Sequence, residues 1–240
     1  DTDCCHESFT AQTAVALLRS SEGGIRIVTP SASPESRPGF ISATVHKKSK
    51  STKVGLGMQW KNGALRVSHI VPFSPLCDSP IRVGDKILSI NSAACTNSAK
   101  EAFDLITNSI GTVTVVVQVE DGDPSLVAAM VTKPFPESLV GLILRPGAGA
   151  SYVRKVNPDG LAVNSLLNAG DRIVSINNQD CSMMAVEDVL HAIRSAEDKV
   201  TIVAKTESTT GVVVSASASI STTSEDPLLV DDDDDDDEQQ

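Results

Sequence analysis

The chain has 240 residues, 40% of them hydrophobic and only 3% aromatic, and carries a formal net charge of -11 at pH 7. Residues 225–238 contain ten acids and no base, so they account for all but one unit of that charge. The rest of the chain is nearly neutral, which excludes the strongly basic surface of a nucleic-acid-binding domain. No apolar run approaches the roughly 20 residues that would insert into a bilayer and cross it.

Two segments of the chain recur 86 residues further on, without a gap between them. Val54-Gly55-Leu56 recurs at residues 140–142, and the segment Gly-Asp-Lys-Ile-Leu-Ser-Ile-Asn at residues 84–91 recurs with conservative changes at residues 170–177. A repeat of this length indicates a tandem of complete domains rather than a solenoid of small units. At roughly 80–90 residues, each copy is large enough to bury its own core.

Residues 1–28 align with the end of the second copy. Residues 14–22 resemble residues 189–197, and residues 25–28 resemble residues 200–203, at a constant offset of 175. We therefore predict that residues 1–28 are the C-terminal part of a truncated third copy. The chain would then be a C-terminal fragment of a longer multi-domain protein.

The first complete copy is predicted to span residues 40–120, after a Pro- and Ser-rich linker at residues 29–39. Strands are expected near residues 41–45, 56–60, 65–70, 86–90 and 113–119. Asn62-Gly63 predicts a hairpin turn between two of these strands. A helix with one apolar face is predicted by the i, i+3, i+4, i+7 spacing of Ala99, Ala102, Phe103 and Ile106.

The second complete copy is predicted to span residues 125–206, after a short joint at residues 120–124. Strands are expected at residues 126–132, 140–144, 151–156, 172–177 and 199–204. A short helix is expected over residues 161–167, and a longer one is predicted by Val186, Val189, Leu190 and Ile193. Residues 207–240 are rich in Ser and Thr and then polyacidic, which is the composition of a disordered tail.

The chain carries five cysteines, an odd number without the paired spacing of a zinc site. Cys95 and Cys181 hold equivalent positions in the two copies and are expected to be small buried core residues. Because no disulfide framework is expected, we predict a reducing compartment, the cytoplasm. Binding to membrane partners would bring the protein to the inner surface of the membrane. The sequence has neither a G-x-S-x-G element nor a P-loop. We expect no catalytic residue, no metal and no cofactor, and therefore no enzymatic activity.

The order of these elements resembles the PDZ domain, twice over. The first copy contains Gly55-Leu56-Gly57-Met58, close to the Gly-Leu-Gly-Phe signature of that family, and both copies place Gly-Asp-x-Ile-x-x-Ile-Asn before the long helix. The resemblance covers residues 40–120 and 125–206, with the partial copy at residues 1–28. It implies an α+β class that is mainly β with two helices per domain, arranged as tandem, partly open β-barrels or sandwiches.

The resemblance also implies that each domain binds an extended C-terminal peptide, which adds a strand to the sheet beside the long helix. The terminal carboxylate would be held by backbone N–H groups of a glycine loop, because glycine lets the backbone turn and approach closely. The N–H groups expected to do so belong to Val54, Gly55 and Leu56 in the first domain and to Val140, Gly141 and Leu142 in the second.

A pocket for the last side chain of the ligand is implied in each domain. Its expected lining is Val54, Leu56, Met58, Phe103 and Ile106 in the first domain, and Val140, Leu142, Leu144, Leu190 and Ile193 in the second. Several of these residues would serve the strand and helix core at the same time.

In this family, the first residue of the long helix contacts the third-last residue of the ligand. The matching residues are Ala99 and Val186, and neither side chain can form a hydrogen bond. A ligand hydroxyl buried there would stay unpaired, which costs about 1–3 kcal/mol, so we expect an apolar residue at that ligand position. A one-residue shift in the first domain would place Lys100 there instead.

Many family members place a basic residue shortly before the carboxylate loop. The first domain offers Lys48, Lys50 and Lys53, whereas the second offers only Lys133, followed by Pro134-Phe135-Pro136. This difference leaves open whether the second loop holds a carboxylate as the first would.

These features favour a non-enzymatic scaffold that gathers partner proteins by their C-terminal tails. Two linked grooves would raise the apparent affinity for bivalent partners. The alternative is the substrate-recognition region of a larger protease whose catalytic domain lies outside these 240 residues. Further repeats upstream would favour the scaffold, and a domain bearing Ser, His and Asp would favour the protease. The sequence leaves the oligomeric state open.

Overall fold

The computed structural model describes residues 37–96 and 98–206, which form two copies of one arrangement of strands and a helix. The elements of the first repeat are β1 (Pro38–Lys47), β2 (Leu56–Lys61), β3 (Ala64–Ile70), β4 (Lys86–Ile90), β5 (Ala93–Ala94), α1 (Ala99–Asn108) and β6 (Gly111–Gln118). Those of the second are β7 (Asp123–Thr132), β8 (Leu142–Gly147), β9 (Ala150–Val156), β10 (Arg172–Ile176), β11 (Gln179–Asp180), α2 (Val186–Ser195) and β12 (Lys199–Lys205). The predicted truncated copy and acidic tail lie outside the described residues.

Both long helices form where the apolar spacing predicts them. α1 begins after Ser98, whose hydroxyl accepts a hydrogen bond from the Glu101 N–H at 3.1 Å, and it buries Ala102 and Ile106. This side-chain cap satisfies one of the free N–H groups at the start of the helix. The predicted Asn62-Gly63 turn is also confirmed: both residues have positive φ, 52° and 72°, as a two-residue hairpin turn requires.

The short helix predicted over residues 161–167 is wrong. The segment is a run of turns, in which the Val163 N–H donates to Gly160 O and the Ser165 N–H donates to Ala162 O, three residues back. So short a segment forms too few hydrogen bonds to offset the entropy of starting an α-helix. The mainly β class is confirmed, with one α-helix in each repeat of the described part. The sheet is open and does not close into a barrel.

The two repeats share one continuous sheet with the strand order β2-β3-β4-β6-β1-β7-β12-β10-β9-β8. The short strands β5 and β11 pair with β4 and β10 beside this path. β1 and β7 pair in parallel, from Phe40 opposite Val127 to Thr44 opposite Val131. This parallel pairing, called the seam below, joins the first strands of the two repeats, and the sheet has the same strand order read from either end.

The two hydrophobic cores lie on opposite faces of the sheet at the seam. Ile41 lies opposite Ala128 and Ala43 lies opposite Met130, and all four side chains are buried in the first core. Val127 is buried in the second core, and Phe40, which lies opposite it, packs against that core. Successive residues of a strand point to opposite faces, so each seam strand contributes side chains to both cores.

The register of the seam explains how the cores come to lie on opposite faces. Ile41 pairs with Ala128, an offset of 87, although the sequence repeat places its equivalent at Val127, an offset of 86. Paired residues share a face of the sheet. An offset of 86 would therefore put the equivalent core residues of both repeats on one face, and a slip of one residue moves them to opposite faces.

Side chains also join the repeats at the seam. The Ser42 hydroxyl donates to Ala128 O at 3.4 Å and accepts from the Leu166 N–H at 3.2 Å. Lys199, the first residue of β12, forms an ion pair with Asp78 in the loop between β3 and β4. The Lys199 ammonium, which donates a hydrogen bond to this carboxylate, lowers the pKa of Asp78.

Candidate functional site

The two long strands at the ends of the sheet, β2 and β8, each lie beside a helix. α1 packs against β2 and β4, and α2 packs against β8, β9 and β10. We call the cleft between β2 and α1 the first groove and that between β8 and α2 the second groove. A strand at the end of a sheet has a row of N–H and C=O groups without a neighbouring strand, which is a template for an added strand.

A glycine precedes β2 and β8, and its surroundings exclude any larger residue. Gly55 and Gly141 have φ of 82° and 86°, in the left-handed region that favours glycine. A Cβ on Gly55 would overlap the side chain of Ser74, and one on Gly141 would overlap Cα of Gly160. The glycine loop thus packs directly on the loop that follows β3 in the first repeat and β9 in the second.

The peptide groups of the glycine loops have a defined direction. Gly55 O accepts from the Val71 N–H at 2.8 Å, and Gly141 O accepts from the Asn157 N–H at 2.8 Å. The N–H groups of Val54 and Gly55, and those of their equivalents Val140 and Gly141, donate to no acceptor within residues 37–96 and 98–206.

The next residue in each repeat adds a third N–H group. Backbone groups in an antiparallel strand point alternately to its two sides. The carbonyl groups of Gly55 and Gly141 point towards the neighbouring strand. The N–H groups of the next residues, Leu56 and Leu142, therefore face the open edge. Each loop thus brings together the three residues predicted to hold a carboxylate, and their binding to one stays a prediction.

The side chains predicted for the first pocket gather beside α1. Val54 and Ile106 are buried in the first core, whereas Leu56, Met58 and Ala99 are partly buried and pack against it. Phe103 differs, because it is 58% exposed. An exposed aromatic ring on the groove helix is available to a ligand, whereas the buried residues support the pocket from below.

The side chains predicted for the second pocket gather in the same way beside α2. Val140, Leu144 and Ile193 are buried in the second core. Leu142, Val186 and Leu190 are partly buried and pack against it. This distribution leaves part of each of the latter three side chains accessible from the groove.

Lys133 does not lie at the second carboxylate loop. It is 4% exposed, and its Nζ donates to Arg194 O at 3.1 Å and to Ala196 O at 2.6 Å, at the end of α2. Its equivalent 86 residues earlier is Lys47, and sequence reasoning missed the role of both. A lysine repeated at the same position directly after an apolar strand was the available signal.

The lysines of the first loop are arranged differently. Lys48, Lys50 and Lys53 are exposed and form no hydrogen bond or ion pair with the described residues. Three free positive charges therefore precede the first glycine loop. The corresponding loop of the second repeat has instead two largely exposed apolar side chains, Phe135 and Leu139.

Cys95 and Cys181 have the character of core residues. Burial raises the pKa of the Cys95 thiol to about 11, and burial also raises that of Cys181, which is fully buried. The reactive form of a cysteine is the thiolate, so both side chains are poor nucleophiles near neutral pH. Among residues 37–96 and 98–206, no three His, Cys, Asp or Glu residues gather as a metal site would require, and no helix there is long and apolar enough to cross a membrane.

The sequence model of the PDZ domain matches residues 36–118 and 130–205. The chain belongs to the PDZ domain family. The two matches cover both repeats, which identifies a tandem PDZ protein. PDZ domains generally bind C-terminal peptides and are typically interaction domains without enzymatic activity. No curated protein sequence matches the chain.

Solved PDZ structures resemble about a third of the chain each. The fourth PDZ domain of MUPP1 is 27% identical, with 34% of this chain and 76% of that chain covered and a TM-score of 0.31. A choanoflagellate GIPC PDZ domain is 21% identical, covering 35% and 91%, with a TM-score of 0.32. A choanoflagellate SHANK1 PDZ domain bound to a GIRK3 peptide is 26% identical, covering 35% and 93%, with a TM-score of 0.31.

Proposed function

We propose that this chain is a non-enzymatic adaptor that binds the C-terminal tails of two partner proteins, one in each groove, by strand addition. One observation carries the proposal: the sheet ends at β2 and β8, and each of these strands lies beside a helix and follows a glycine loop with free N–H groups. The first strands of the repeats pair with each other at the seam, so the ends of the sheet are the edges that an added strand would meet.

The ligand preference follows from the first residue of each groove helix. α1 begins at Ala99 and α2 begins at Val186, and both side chains are partly buried. Neither can accept or donate a hydrogen bond, so an apolar residue at the third-last ligand position is favoured over Ser or Thr by about 1–3 kcal/mol. The last ligand side chain is apolar too, because the pocket residues of both grooves are.

The distance between the grooves favours the binding of two separate partners over the binding of one short ligand across both grooves. β2 and β8 are separated by nine strand spacings, or up to about 43 Å along the sheet. The two cores also lie on opposite faces of the sheet at the seam. We place the protein in the cytoplasm, since Cys95 and Cys181 are thiols rather than halves of a disulfide.

A library of C-terminal peptides, screened against the whole chain and against two variants, tests this function. We expect the wild-type chain to select apolar residues at the last and third-last positions. Val186→His, which supplies a hydrogen-bonding ring, should shift the second groove towards Ser or Thr at the third-last position, and Ala99→His should do so for the first groove. Peptides with an amidated C-terminus are the matched control. Equal binding of amidated and free-acid peptides would contradict carboxylate recognition.

A further inference from the structure

The end of each groove helix is bonded to a buried lysine from a seam strand. Lys47 is the last residue of β1 and is 1% exposed, and its Nζ donates to Ile106 O at 2.5 Å and to Thr107 O at 3.2 Å. Lys133 directly follows β7, and its bonds to Arg194 O and Ala196 O at the end of α2 repeat this arrangement. The contact therefore occurs twice, with the same residue type and at the same place in the fold.

Electrostatics explains how two ammonium groups are buried without a carboxylate. The three ion pairs among the described residues involve neither lysine. The last carbonyl groups of a helix lack N–H partners within it and carry the negative end of the helix dipole. Each lysine satisfies two of these carbonyl groups. The carbonyl oxygens in turn compensate for the lost hydration of the ammonium, which is otherwise a large penalty.

The lysine contact joins two parts of the fold. One is a seam strand, which is paired on both sides, and the other is the helix that forms a wall of the groove. β1 and β7 are paired on both sides, within their own repeat and at the seam. α1 and α2 form the outer walls of the grooves, and their Phe103 and Leu190 are among the predicted ligand contacts. The position of each helix relative to its strand edge sets the width of the groove.

We propose that Lys47 and Lys133 are positioning residues for ligand binding, which hold the C-terminal ends of α1 and α2 to the seam strands and so set the widths of the first and second grooves. This inference rests on the proposed peptide-binding function. Neither lysine touches the ligand. Each acts through the helix of its own repeat, and its loss affects the groove of that repeat alone.

The experiment compares Lys47→Met and Lys133→Met with the exposed controls Arg82→Met and Lys155→Met, which lie outside both glycine loops. For each chain, the dissociation constant of a peptide selected by each groove is measured well below the unfolding temperature, together with amide hydrogen exchange at residues 105–109 and 192–196. We expect Lys47→Met to weaken binding in the first groove about tenfold and to speed exchange at the end of α1. Lys133→Met should do the same for the second groove and α2, and the controls should change neither.

Two further variants keep the test decisive if a methionine variant does not fold. Lys47→Arg retains the charge and donors, and should keep the affinity of the first groove within about threefold. Lys47→Gln retains a donor without the charge, and should fall between Arg and Met. Affinities and exchange rates that stay unchanged in folded Lys47→Met, or an equal loss in both grooves, would overturn the proposal. If no peptide binds the wild-type chain, the peptide-binding function fails, whereas the exchange data still report whether the lysines hold the helix ends.

Discussion

The Ser42 hydroxyl accepts a hydrogen bond from the Leu166 N–H and donates one to Ala128 O, so one side chain of the first repeat is bonded to two segments of the second. Ser42 itself is fully buried. The bond to Ala128 O lies at the seam, and the bond from the Leu166 N–H joins the seam to the loop between β9 and β10. The seam is therefore held by polar contacts as well as by strand pairing.

Ser42→Ala is expected to lower the free energy of unfolding by about 1–2 kcal/mol, because it leaves the Leu166 N–H without its acceptor. Urea denaturation measures this change. Ser68→Ala is the matched control, since the Ser68 hydroxyl bonds the neighbouring His69 at an exposed position. We expect the control to stay within about 0.5 kcal/mol of wild type. Equal effects of the two substitutions would show that the Ser42 bonds add nothing to the seam.

Met130 is expected to link the stabilities of the two repeats. It belongs to β7 of the second repeat, yet it is 1% exposed and buried in the core of the first. Met130→Ala should lower the free energy of unfolding by about 2–5 kcal/mol, as for other buried methionines. The exposed Met183 provides the control, where Ala should cost less than about 0.5 kcal/mol.

Met130→Ala also tests whether the repeats unfold together. Calorimetry should record one transition in the wild-type chain and in the variant, because each core contains side chains of both seam strands. Two separate transitions, with only the second repeat affected by Met130→Ala, would argue against a shared core.

Gly55→Ala is expected to damage the first groove more than its backbone strain alone would. The strain of a left-handed residue with a Cβ is about 1–2 kcal/mol, and the new methyl group would also overlap Ser74. Gly63→Ala is the control, because Gly63 also has positive φ but has open space around its Cβ position. Both variants should lose stability, and only Gly55→Ala should lose binding in the first groove.

Trp60 provides the readout for this comparison. It is the single tryptophan of the chain, it lies on β2, and it is 43% exposed. A peptide added beside β2 should change its fluorescence, and titration then gives the dissociation constant. An unchanged dissociation constant in Gly55→Ala would rule out the glycine loop as the carboxylate site.

Asp171 is expected to make stability fall as the pH rises. Burial raises its pKa above the usual aspartate value, partly opposed by the hydrogen bond from the Asn168 N–H at 2.7 Å. Folding therefore favours the protonated carboxyl. The contribution of Asp171 is fully present below about pH 3.9 and is lost as the pH rises through the folded-state pKa. Urea denaturation of Asp171→Asn should lack this decline, so the variant should gain on wild type between pH 4 and 7.

Asp180 provides a control of opposite sign. Hydrogen bonds from the backbone N–H and the side chain of Ser182 lower its pKa. Its contribution is therefore present above about pH 3.9 and is lost as the pH falls. Asp180→Asn should lose ground to wild type as the pH rises towards about pH 4 and should keep that deficit between pH 4 and 7. A steady gain of Asp180→Asn on wild type between pH 4 and 7 would refute the assignment.

The helices and glycine loops could be predicted because their signals are local. The spacing of Ala99, Ala102 and Ile106 indicates one apolar face of a helix. A glycine in front of a strand occurs at the same position in both repeats. The repeat then aligns Gly55 with Gly141 without any knowledge of the fold. The resemblance to the PDZ family then implied a groove beside each long helix.

The seam could not be predicted from local patterns, because pairing between two strand edges depends on how whole repeats meet. One trace was present: the segment Val127–Val131 is apolar throughout, which indicates a strand buried on both faces rather than on one. The role of Lys47 was missed for a related reason. A lysine at the end of a strand is normally a solvated residue, and only the nearby helix end makes its burial favourable.

The seam uses the same edge of the first strand of each repeat, and the other edge of each of these strands is already paired with β6 or β12. Such a contact uses both copies of its surface and cannot propagate, whereas a head-to-tail contact can continue along a chain of repeats. A third repeat could not pair with β1 or β7, because both edges of each strand are occupied. Within the described residues, the pair of repeats is thus closed at the seam and open at β2 and β8.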